Sequence, residues 1–296
     1  MRTGGAAQKE ICMKLRSVLF VPADRPERFA KAAASGADAI ILDLEDSVSL
    51  ENKGKAREAA AEWLSGDRNE IRTFIRINPQ GSGMTQDDLD AVLPHYPDAL
   101  VLPKAEGAAT VKWLRSLMVP AIADGEEPGI FAIATETAAG IFEMGSYRDV
   151  ASSLLGLSWG AEDLPAAIGA ATSREEDGSY TPPYELARSL TLFAAHAAGV
   201  MALDTVYPSI KDEAGLEAYA KRAARDGFTG MLAIHPAQIP IINAAFTPTE
   251  QQLSEARAVV EAFAANPGAG ALQVGGKMVD APHLASAQKL LARAEG

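Results

Sequence analysis

Short runs of aliphatic residues alternate with longer amphipathic stretches along most of the chain, from Ser17 to about Phe246. The runs are almost continuously apolar, as in Ala39–Leu42 and Leu100–Leu102, which is typical of strands buried on both faces of a parallel sheet. Eight strands, each followed by a helical or polar segment, predict an α/β fold of the TIM (β/α)8 barrel type. The predicted strands are Ser17–Pro22, Asp38–Asp46, Arg72–Asn78, Ala99–Lys104, Gly129–Glu136, Ser153–Asp163, Met201–Pro208 and Gly230–Pro236.

The segments between these strands carry the start and stop signals of helices. Pro26 and Gly36 bound the first, Gly66 follows Glu51–Ser65, and Gly199 follows Pro183–Ala198. An open, doubly wound sheet is the structural alternative. It would place a glycine-rich turn after the first strand, and the turn found there, Val21–Pro26, contains no glycine. The barrel is therefore the favoured fold.

A C-terminal segment follows the barrel. We predict a catalytic barrel domain over residues 15–246 and a helical extension over residues 247–296, with helices near Thr249–Ala265 and Pro282–Ala294. The glycines between those helices, Gly268 to Gly276, are interpreted as a flexible turn because they follow a helix rather than a strand. The extension is too short for a core of its own, so we expect it to pack on the barrel or on a neighbouring subunit.

Charge and composition exclude several classes of function. The 296 residues carry a net charge of −12, which argues against a broad surface for nucleic acid or anionic lipid. No apolar stretch is long enough to span a membrane, and Met1–Lys14 lacks the apolar centre of a signal peptide. The single cysteine, Cys12, cannot form an internal disulfide. The expectation is a cytoplasmic enzyme.

Polar and charged residues stand where the apolar strands end. In a (β/α)8 barrel the active site is built at the C-terminal ends of the strands. Charged groups in this position are costly if merely buried, so they require partners, a metal or a substrate. The residues concerned are Glu45, Asp46, Arg76, Asn78, Lys104, Glu136, Asp163 and His235.

Glu136 and Asp163 are the predicted metal ligands. They end successive predicted strands, and no pair of Cys or His residues lies nearby. Two carboxylates form a hard oxygen site that suits Mg²⁺ better than zinc, with water and substrate oxygens completing the coordination. The alternative is that each carboxylate caps the following helix or pairs with a basic residue.

The remaining residues at the strand ends allow several roles. Arg76 can present its planar fork to a carboxylate of the substrate or of the protein itself. Glu45 and Asp46 can accept hydrogen bonds from metal-bound water, or pair with Arg76 and Lys104. His235 is interpreted as a structural residue more readily than as a base. Spacing offers no serine or second histidine to complete a triad with it, so nucleophilic acyl transfer is disfavoured.

Several of these residues belong to motifs that occur in a known order. The motifs are Arg16–Pro22, Asp43–Val48, Ile75–Asn78, Leu102–Lys104, Glu136–Thr137, Gly160–Leu164, Asp204–Pro208, Ile234–Gln238 and Gly276–His283. Together they resemble the HpcH/HpaI aldolase and citrate lyase family, in particular its citrate lyase beta subunit and beta-like branch, which includes malyl-CoA and citramalyl-CoA lyases. The resemblance runs from about Arg16 to Arg293. It implies Mg²⁺ bound by Glu136 and Asp163, with Arg76 at the substrate oxygens.

The resemblance also implies an activity and an assembly. The expected reaction is the reversible cleavage of a short 3-hydroxyacyl-CoA, such as malyl-CoA or citramalyl-CoA, into acetyl-CoA and a 2-oxo acid. Asp280 would act from the C-terminal segment in the site of a neighbouring subunit, which requires a homotrimer or a higher oligomer. The basic residues Arg16, Lys104 and Arg25 are candidate contacts to the CoA thioester, although such residues can equally be solvated surface charges.

Three alternatives remain open. The chain could be the citryl-acyl-carrier-protein or citryl-CoA lyase subunit of a larger complex, or it could hydrolyse the thioester after condensation. A non-catalytic barrel that binds acyl-CoA is the alternative from another class, and the ring of carboxylates argues against it. Ser209, Ile210 and Met231 differ from the residues common in the family, which leaves the fine choice of substrate open.

Overall fold

Eight parallel strands close into a barrel in the computed structural model, which describes residues 14–68, 70–119 and 127–295. Each strand pairs with the next along the chain, and β1 pairs with β8 through Val18 and Leu232. The predicted TIM barrel is confirmed. The strands are β1 Ser17–Pro22, β2 Ala39–Asp43, β3 Arg72–Arg76, β4 Ala99–Leu102, β5 Gly129–Ile133, β6 Leu154–Ser158, β7 Met201–Asp204 and β8 Gly230–Ala233.

The strands form where the sequence is apolar without interruption. Every residue of β2, β4 and β8 is buried, because one face of each strand points into the barrel and the other packs under the helices. Large side chains fill the interior of this unit, among them Phe74, Phe131 and Trp159, each at most 1% exposed. Packed side chains thus fill the interior of the barrel among the described residues.

Helices follow the strands and cover the outside of the barrel. They begin and end at recognisable residues: Thr137 caps the helix Ala138–Glu143 by accepting a hydrogen bond from Gly140 N, and Gly199 ends the helix Pro182–Ala198 in the left-handed conformation at φ +70°. The predicted helices before Gly66 and Gly199 are confirmed. The helices of this unit are α1 Phe29–Ala33, α2 Lys53–Ser65, α3 Thr85–Val92, α4 Gly107–Met118, α5 Ala138–Glu143, α6 Leu164–Ile168, α7 Pro182–Ala198, α8 Glu213–Asp226 and α9 Ile239–Phe246.

The predicted C-terminal ends of seven strands are wrong, because those strands stop earlier. The clearest case is β2, which was expected to reach Asp46 and ends at Asp43. The carboxylate of Asp43 accepts the backbone N–H of Glu45 at 2.9 Å and of Ser47 at 3.2 Å, and these bonds turn the chain out of the sheet. Lys104, two residues after β4, has a φ of +50°, a left-handed conformation that does not continue a strand. Most of the charged residues at the rim therefore lie in loops that follow the strands.

The described residues after Phe246 belong to a second compact unit. It contains α10 Glu250–Ala265, the strands β9 Ala271–Val274 and β10 Lys277–Asp280, and α11 Ala281–Glu295. The interpretation of the glycine-rich segment as a flexible turn is wrong in part. Gly275 and Gly276, both with positive φ, form the two-residue turn of an antiparallel hairpin between β9 and β10. Strands of four residues are too short to give a clear alternating pattern.

Two earlier expectations fall outside what this structure decides. Cys12 lies outside the described residues, and the packing of residues 247–296 on a neighbouring subunit stays a prediction. In the described part of the chain, no helix combines the length and the apolar character that a membrane crossing requires.

The closure between β8 and the start of β1 leaves no room for a side chain at Gly230. A Cβ atom there would lie 2.0 Å from the carbonyl oxygen of Leu15 and 2.8 Å from that of Arg16, both backbone atoms. We expect Gly230→Ala to lower the free energy of unfolding by at least about 2 kcal/mol, because the barrel must open to admit the methyl group. Chemical denaturation followed by circular dichroism measures this change.

Gly54 provides the matched control, since it is exposed in the first turn of α2 and a Cβ atom there meets nothing within 4 Å. Gly54→Ala should leave the stability unchanged or raise it by about 0.5 kcal/mol. Equal effects of the two substitutions would contradict the crowded closure at Gly230.

Candidate active site

Arg76 is the last residue of β3, and its guanidinium is held by acidic residues of the neighbouring strand and loop. Nε and Nη2 donate to Oδ1 and Oδ2 of Asp43 at 2.7 and 2.6 Å, and Nη1 lies 3.1 Å from Oε2 of Glu45. Asp43 is paired with Arg76 across the β2–β3 ladder, which explains the contact. Burial alone would lower the pKa of Arg76, but the charge of Asp43 raises it above its usual value. Arg76 thus forms an internal bridge and also lines the cavity at the rim.

Lys53 fixes the loop that carries Glu45. This buried lysine, the first residue of α2, donates to the carbonyl oxygens of Leu44 at 2.6 Å and Glu45 at 2.7 Å, and to Oδ1 of Asn78 at 2.8 Å. Asn78 in turn donates to Asp88 at 2.7 Å, which anchors it from α3. Burial lowers the pKa of Lys53. Sequence reasoning missed this residue; the one available signal is a lysine in a helical first turn, where the helix dipole disfavours it.

Lys104 lies among four acidic residues that follow three different strands. Its backbone N–H donates to Oε2 of Glu136 at 2.5 Å. Its ammonium contacts Glu45 and lies 3.3 Å from Oδ2 of Asp46 and 3.6 Å from Oδ1 of Asp163. Burial would lower the pKa of Lys104, but the hydrogen bond and the charge of Glu45 raise it. Lys104 therefore connects both predicted metal ligands to the acidic loop after β2.

Glu136 and Asp163 lie in the loops that follow β5 and β6, and both contact Lys104. Glu136 is 3% exposed and Asp163 is one-third exposed. The pKa of Glu136 is raised to about 8, first by burial and then by the like charge of Asp163. Neither residue caps the following helix: Thr137 caps α5, and Asp163 makes no capping bond to α6. Simple helix capping therefore does not explain these two carboxylates.

Gly160 allows Glu136 to reach its position. A Cβ atom at residue 160 would lie 2.2 Å from Cγ of Glu136, so only glycine admits the glutamate side chain. The backbone N–H of Gly160 also donates to Oγ1 of Thr135 at 3.3 Å, which ties the loop after β6 to the end of β5. The close approach of these two loops brings the acidic residues to one side of the rim.

A cavity of about 370 Å³ opens beside these residues at the C-terminal ends of the strands. Its lining combines charged and apolar side chains, and the guanidinium of Arg76 lies 4.8 Å from the ring centroid of Phe20. The charged lining residues are Asp43, Asp46, Arg76, Glu136, Glu162 and Asp163, and this excess of carboxylates favours a cation, or an acid bound together with a cation. The apolar lining residues include Phe20, Ile133, Trp159, Val206, Leu232 and Ile234.

Two of the basic residues proposed to contact CoA lie outside this group. Arg16 immediately precedes β1, so it lies at the N-terminal end of the barrel, where Nη2 is 2.8 Å from Oδ1 of Asp38. Arg25 lies in the loop after β1, about half exposed, with Nε 3.9 Å from Oδ1 of Asp24. The geometry gives no support to a contact between Arg16 and a ligand at the opposite end of the barrel. Lys104 is the one of the three that the structure brings to the acidic residues.

His235 and Asp280 have local partners. His235 accepts the backbone N–H of Ala237 at 3.2 Å and forms a capping box with Gln238, which agrees with its interpretation as a structural residue. Asp280 ends β10 in the second compact unit, and its Oδ1 lies 2.5 Å from Nδ1 of His283. This contact lowers the pKa of Asp280.

The barrel matches a known family of proteins. The family model described as HpcH/HpaI aldolase/citrate lyase matches residues 16–236, which cover the barrel up to the end of its eighth strand. This class comprises carbon–carbon lyases built on the barrel described above, and the predicted enzyme class is confirmed. The chain belongs to the HpcH/HpaI aldolase/citrate lyase family.

The relatives extend the match over nearly the whole chain. The citrate lyase subunit beta-like protein of Mycobacterium tuberculosis is 41% identical over 276 residues, 93% of this chain and 94% of that protein. The mitochondrial citramalyl-CoA lyase of Mus musculus is 31% identical over 291 residues, 93% of this chain and 85% of its own. The crystal structure of protein CitE from M. tuberculosis, in complex with magnesium, acetoacetate and coenzyme A, matches with a TM-score of 0.80 and 39% identity. It covers 97% of this chain and 100% of that one.

Substitution of Gly160 tests whether the position of Glu136 matters for catalysis. In Gly160→Ala the new methyl group must displace the glutamate side chain by more than about 1 Å, and such a displacement can reduce turnover by about 100-fold. We expect kcat/KM for carbon–carbon cleavage to fall by at least this factor, while circular dichroism shows a folded barrel.

Gly145→Ala is the matched control, because a Cβ atom at this exposed glycine meets nothing within 4 Å. It should retain the activity of the wild-type protein. Full activity in Gly160→Ala would remove the argument that Glu136 needs this position.

Proposed function

We propose that this protein is a Mg²⁺-dependent lyase that reversibly cleaves a short 3-hydroxyacyl-CoA into acetyl-CoA and a 2-oxo acid. Malyl-CoA would yield glyoxylate and citramalyl-CoA would yield pyruvate. The observation that carries the proposal is the convergence of Glu136, Asp163 and Arg76 on one small cavity. The relatives support it, because one is named citramalyl-CoA lyase and a solved neighbour binds magnesium and coenzyme A.

The two carboxylates fit a magnesium ion by their chemistry. Mg²⁺ prefers hard oxygen ligands and is usually held by one or two carboxylates, with water and substrate oxygens at the remaining positions. Lys104 contacts Oε2 of Glu136 and Oδ1 of Asp163, so the second oxygen of each carboxylate is not engaged by this lysine. Within the described ranges no group of three or more Asp, Glu, His or Cys residues forms a closed metal cage. An open site with two protein ligands leaves room for the substrate.

Arg76 is the proposed contact to the oxygens of the substrate. Bound Mg²⁺ would supply Lewis-acid stabilisation of the negative charge that develops on the hydroxyl oxygen when its proton is removed. The guanidinium of Arg76 can add charged hydrogen bonds to the carboxylate of the substrate. Its bidentate hydrogen bond to Asp43 holds the guanidinium in one orientation, so this side chain needs little reorganisation when substrate binds.

Glu45, Asp46 and Lys104 complete the proposed site. Glu45 contacts both Arg76 and Lys104, and we assign it the role of positioning these two cations. Asp46 is about half exposed and lines the cavity, where it can accept a hydrogen bond from bound water or substrate. Lys104 adds positive charge next to the developing oxyanion.

Asp280 is the proposed acid–base residue. In cleavage the hydroxyl proton would pass to solvent water, the C–O bond would become the carbonyl of the 2-oxo acid, and the electron pair of the C2–C3 bond would remain on C2 of the thioester as an enolate. Asp280 in its protonated form would then donate a proton to C2 to give acetyl-CoA. In the synthetic direction Asp280 would remove that proton from the thioester. We propose that it acts in the site of a neighbouring subunit, so the active form is a homotrimer or a higher oligomer.

A second candidate is the cleavage of a citryl thioester, favoured by the name of the M. tuberculosis relative. In that case the chain would act with a companion subunit or an acyl-carrier protein. Activity of the isolated chain on a free CoA thioester distinguishes the two reactions. Release of free CoA during condensation would instead indicate thioester hydrolysis.

The substrate is tested by incubating the purified chain and Mg²⁺ with acetyl-CoA or propionyl-CoA and each of glyoxylate, pyruvate and oxaloacetate. We expect mass spectrometry to detect one or more 3-hydroxyacyl-CoA products, and we expect EDTA to abolish their formation. Turnover that persists in the chelator would overturn the role of magnesium. No product with any pair of substrates would overturn the proposed reaction.

The metal ligands are tested in the same assay. Glu136→Gln and Asp163→Asn each remove one negative charge from the proposed magnesium site, and turnover should fall by at least about 100-fold because the developing oxyanion loses its main stabilisation. Calorimetric titration should show weaker binding of Mg²⁺. Asp149→Asn, which changes the same charge at an exposed position, is the control and should behave as wild type.

The role of Asp280 is tested by mixing two inactive variants. Asp280→Asn should fold and assemble but turn over slowly, and Glu136→Gln should be inactive for a different reason. If Asp280 acts across subunits, randomly mixed oligomers should regain about one quarter of the wild-type activity, because half the sites have an intact acidic pair and half of those receive an intact Asp280. No recovery after verified subunit mixing would contradict action in a neighbouring subunit.

A further inference from the structure

Asp204 is a fully buried carboxylate at the end of β7 that accepts hydrogen bonds on both oxygens. Oδ1 accepts from Nε1 of Trp159 at 2.6 Å, from the hydroxyl of Tyr219 at 3.0 Å and from the backbone N–H of Thr205 at 2.8 Å. Oδ2 accepts from Nε of Arg188 at 2.8 Å. The carboxylate is thus fixed by four groups, of which three belong to other parts of the chain and one, the N–H of Thr205, belongs to the next residue.

Arg188 neutralises this buried charge from α7. It is 3% exposed, its Nη2 also lies 2.8 Å from Oδ2 of Asp204, and its Nη1 is 2.8 Å from Oδ2 of Asp226. A buried ion pair of this kind adds little net stability, because the desolvation of both charges offsets their attraction. The ion pair can instead fix the position and orientation of the carboxylate of Asp204.

The bond between Trp159 and Asp204 joins two strands where their backbone pairing has ended. In the described residues β6 and β7 pair at Gly156 with Met201 and at Leu157 with Ala202. Trp159 and Asp204 lie two positions further along the same register, towards the cavity. A side-chain bond therefore takes the place of the missing ladder bond and sets the distance between these strand ends.

The hydrogen bond between Trp159 and Asp204 lies next to the cavity. Trp159 and Thr205 line the cavity, and the indole packs edge-on against Tyr180 with ring centroids 5.0 Å apart. The residue after Trp159 is Gly160, whose close approach to Glu136 was described above. Displacement of Trp159 would therefore change the width of the cavity and the contact between Gly160 and Glu136.

We propose that Asp204, held by Arg188, is a positioning residue that fixes Trp159 as the size-limiting wall of the cavity, and that this pair determines which alkyl group the substrate can carry. The inference rests on the proposed function, because it concerns the alkyl substituent of the 2-oxo acid. It assigns Asp204 no contact with substrate. Trp159 is the residue that meets the alkyl group.

The size limit is tested with Trp159→Phe, which shortens the wall and keeps Asp204 and Arg188 paired. One methylene in an apolar pocket changes discrimination by about 10- to 200-fold. We expect the ratio of kcat/KM for 2-oxobutanoate to that for pyruvate to rise at least about tenfold. Tyr219→Phe, which removes another hydrogen bond to the same carboxylate and leaves the wall in place, is the control and should keep the wild-type ratio.

The positioning role of Asp204 is tested without turnover. The chain contains three tryptophans, and in protein labelled with ¹⁵N-tryptophan the indole signal of Trp159 is assigned by its loss in Trp159→Phe. In Asp204→Asn this signal should move upfield, because the indole loses a charged acceptor. The signal of Trp63, which donates to Thr73, should stay in place.

The outcomes separate this inference from the proposed reaction. If the wild-type protein turns over no thioester, the ratio of the Kd values of the two acids, measured by calorimetry with Mg²⁺, replaces the kinetic ratio. An unchanged ratio in Trp159→Phe overturns the size limit. A Trp159 signal that does not move in Asp204→Asn overturns the positioning role. If Asp204→Asn does not fold, the size limit set by Trp159 is still supported when the ratio of kcat/KM values changes in Trp159→Phe and stays unchanged in Tyr219→Phe.

Discussion

The pairing of Arg76 with Asp43 and Glu45 is the interaction on which the rest of the site depends. A buried guanidinium at the end of an apolar strand is tolerated only with nearby negative charge, and Asp43 supplies it from the adjacent position in the sheet. Glu45 also forms an ion pair with Lys104. Alternating charges of this kind keep each ionised group beside an opposite one, so the site has a defined geometry before any ligand binds.

Support for this arrangement comes from three further residues, of which Lys53 and Asp204 lie outside the lining of the cavity and Gly160 is part of it. Lys53 binds two successive carbonyl oxygens of the loop after β2, which directs Glu45 inward. Gly160 admits Glu136, and Asp204 holds Trp159. Three loops that follow different strands are thus each fixed by a contact of a different kind: a buried ammonium, a missing side chain and a buried carboxylate. The acidic lining residue Glu136 and the apolar lining residue Trp159 therefore have separate supports.

The sequence predicted the barrel and most of the acidic rim, because uninterrupted apolar runs such as Ala39–Leu42 mark strands directly. It did not predict where strands end, since the end of β2 depends on side-chain bonds from Asp43 that no periodicity records. Nor did it find the pair Trp159 and Asp204, which lie 45 residues apart. Arg16 was assigned to the ligand by its charge alone, although the predicted start of the first strand at Ser17 already implied a location at the N-terminal end of the barrel, where the structure has it.

The ammonium of Lys104 has a consequence for how tightly the rim can hold an added cation. It already lies beside Glu45, Asp46 and Asp163, and its backbone N–H is bonded to Glu136. A metal ion entering between the carboxylates therefore meets repulsion from a resident positive charge as well as attraction from the acids. The affinity for such an ion is the balance of the two. The ammonium of Lys104 thus acts as an internal counter-ion, which partly neutralises the acidic side chains before any cation arrives.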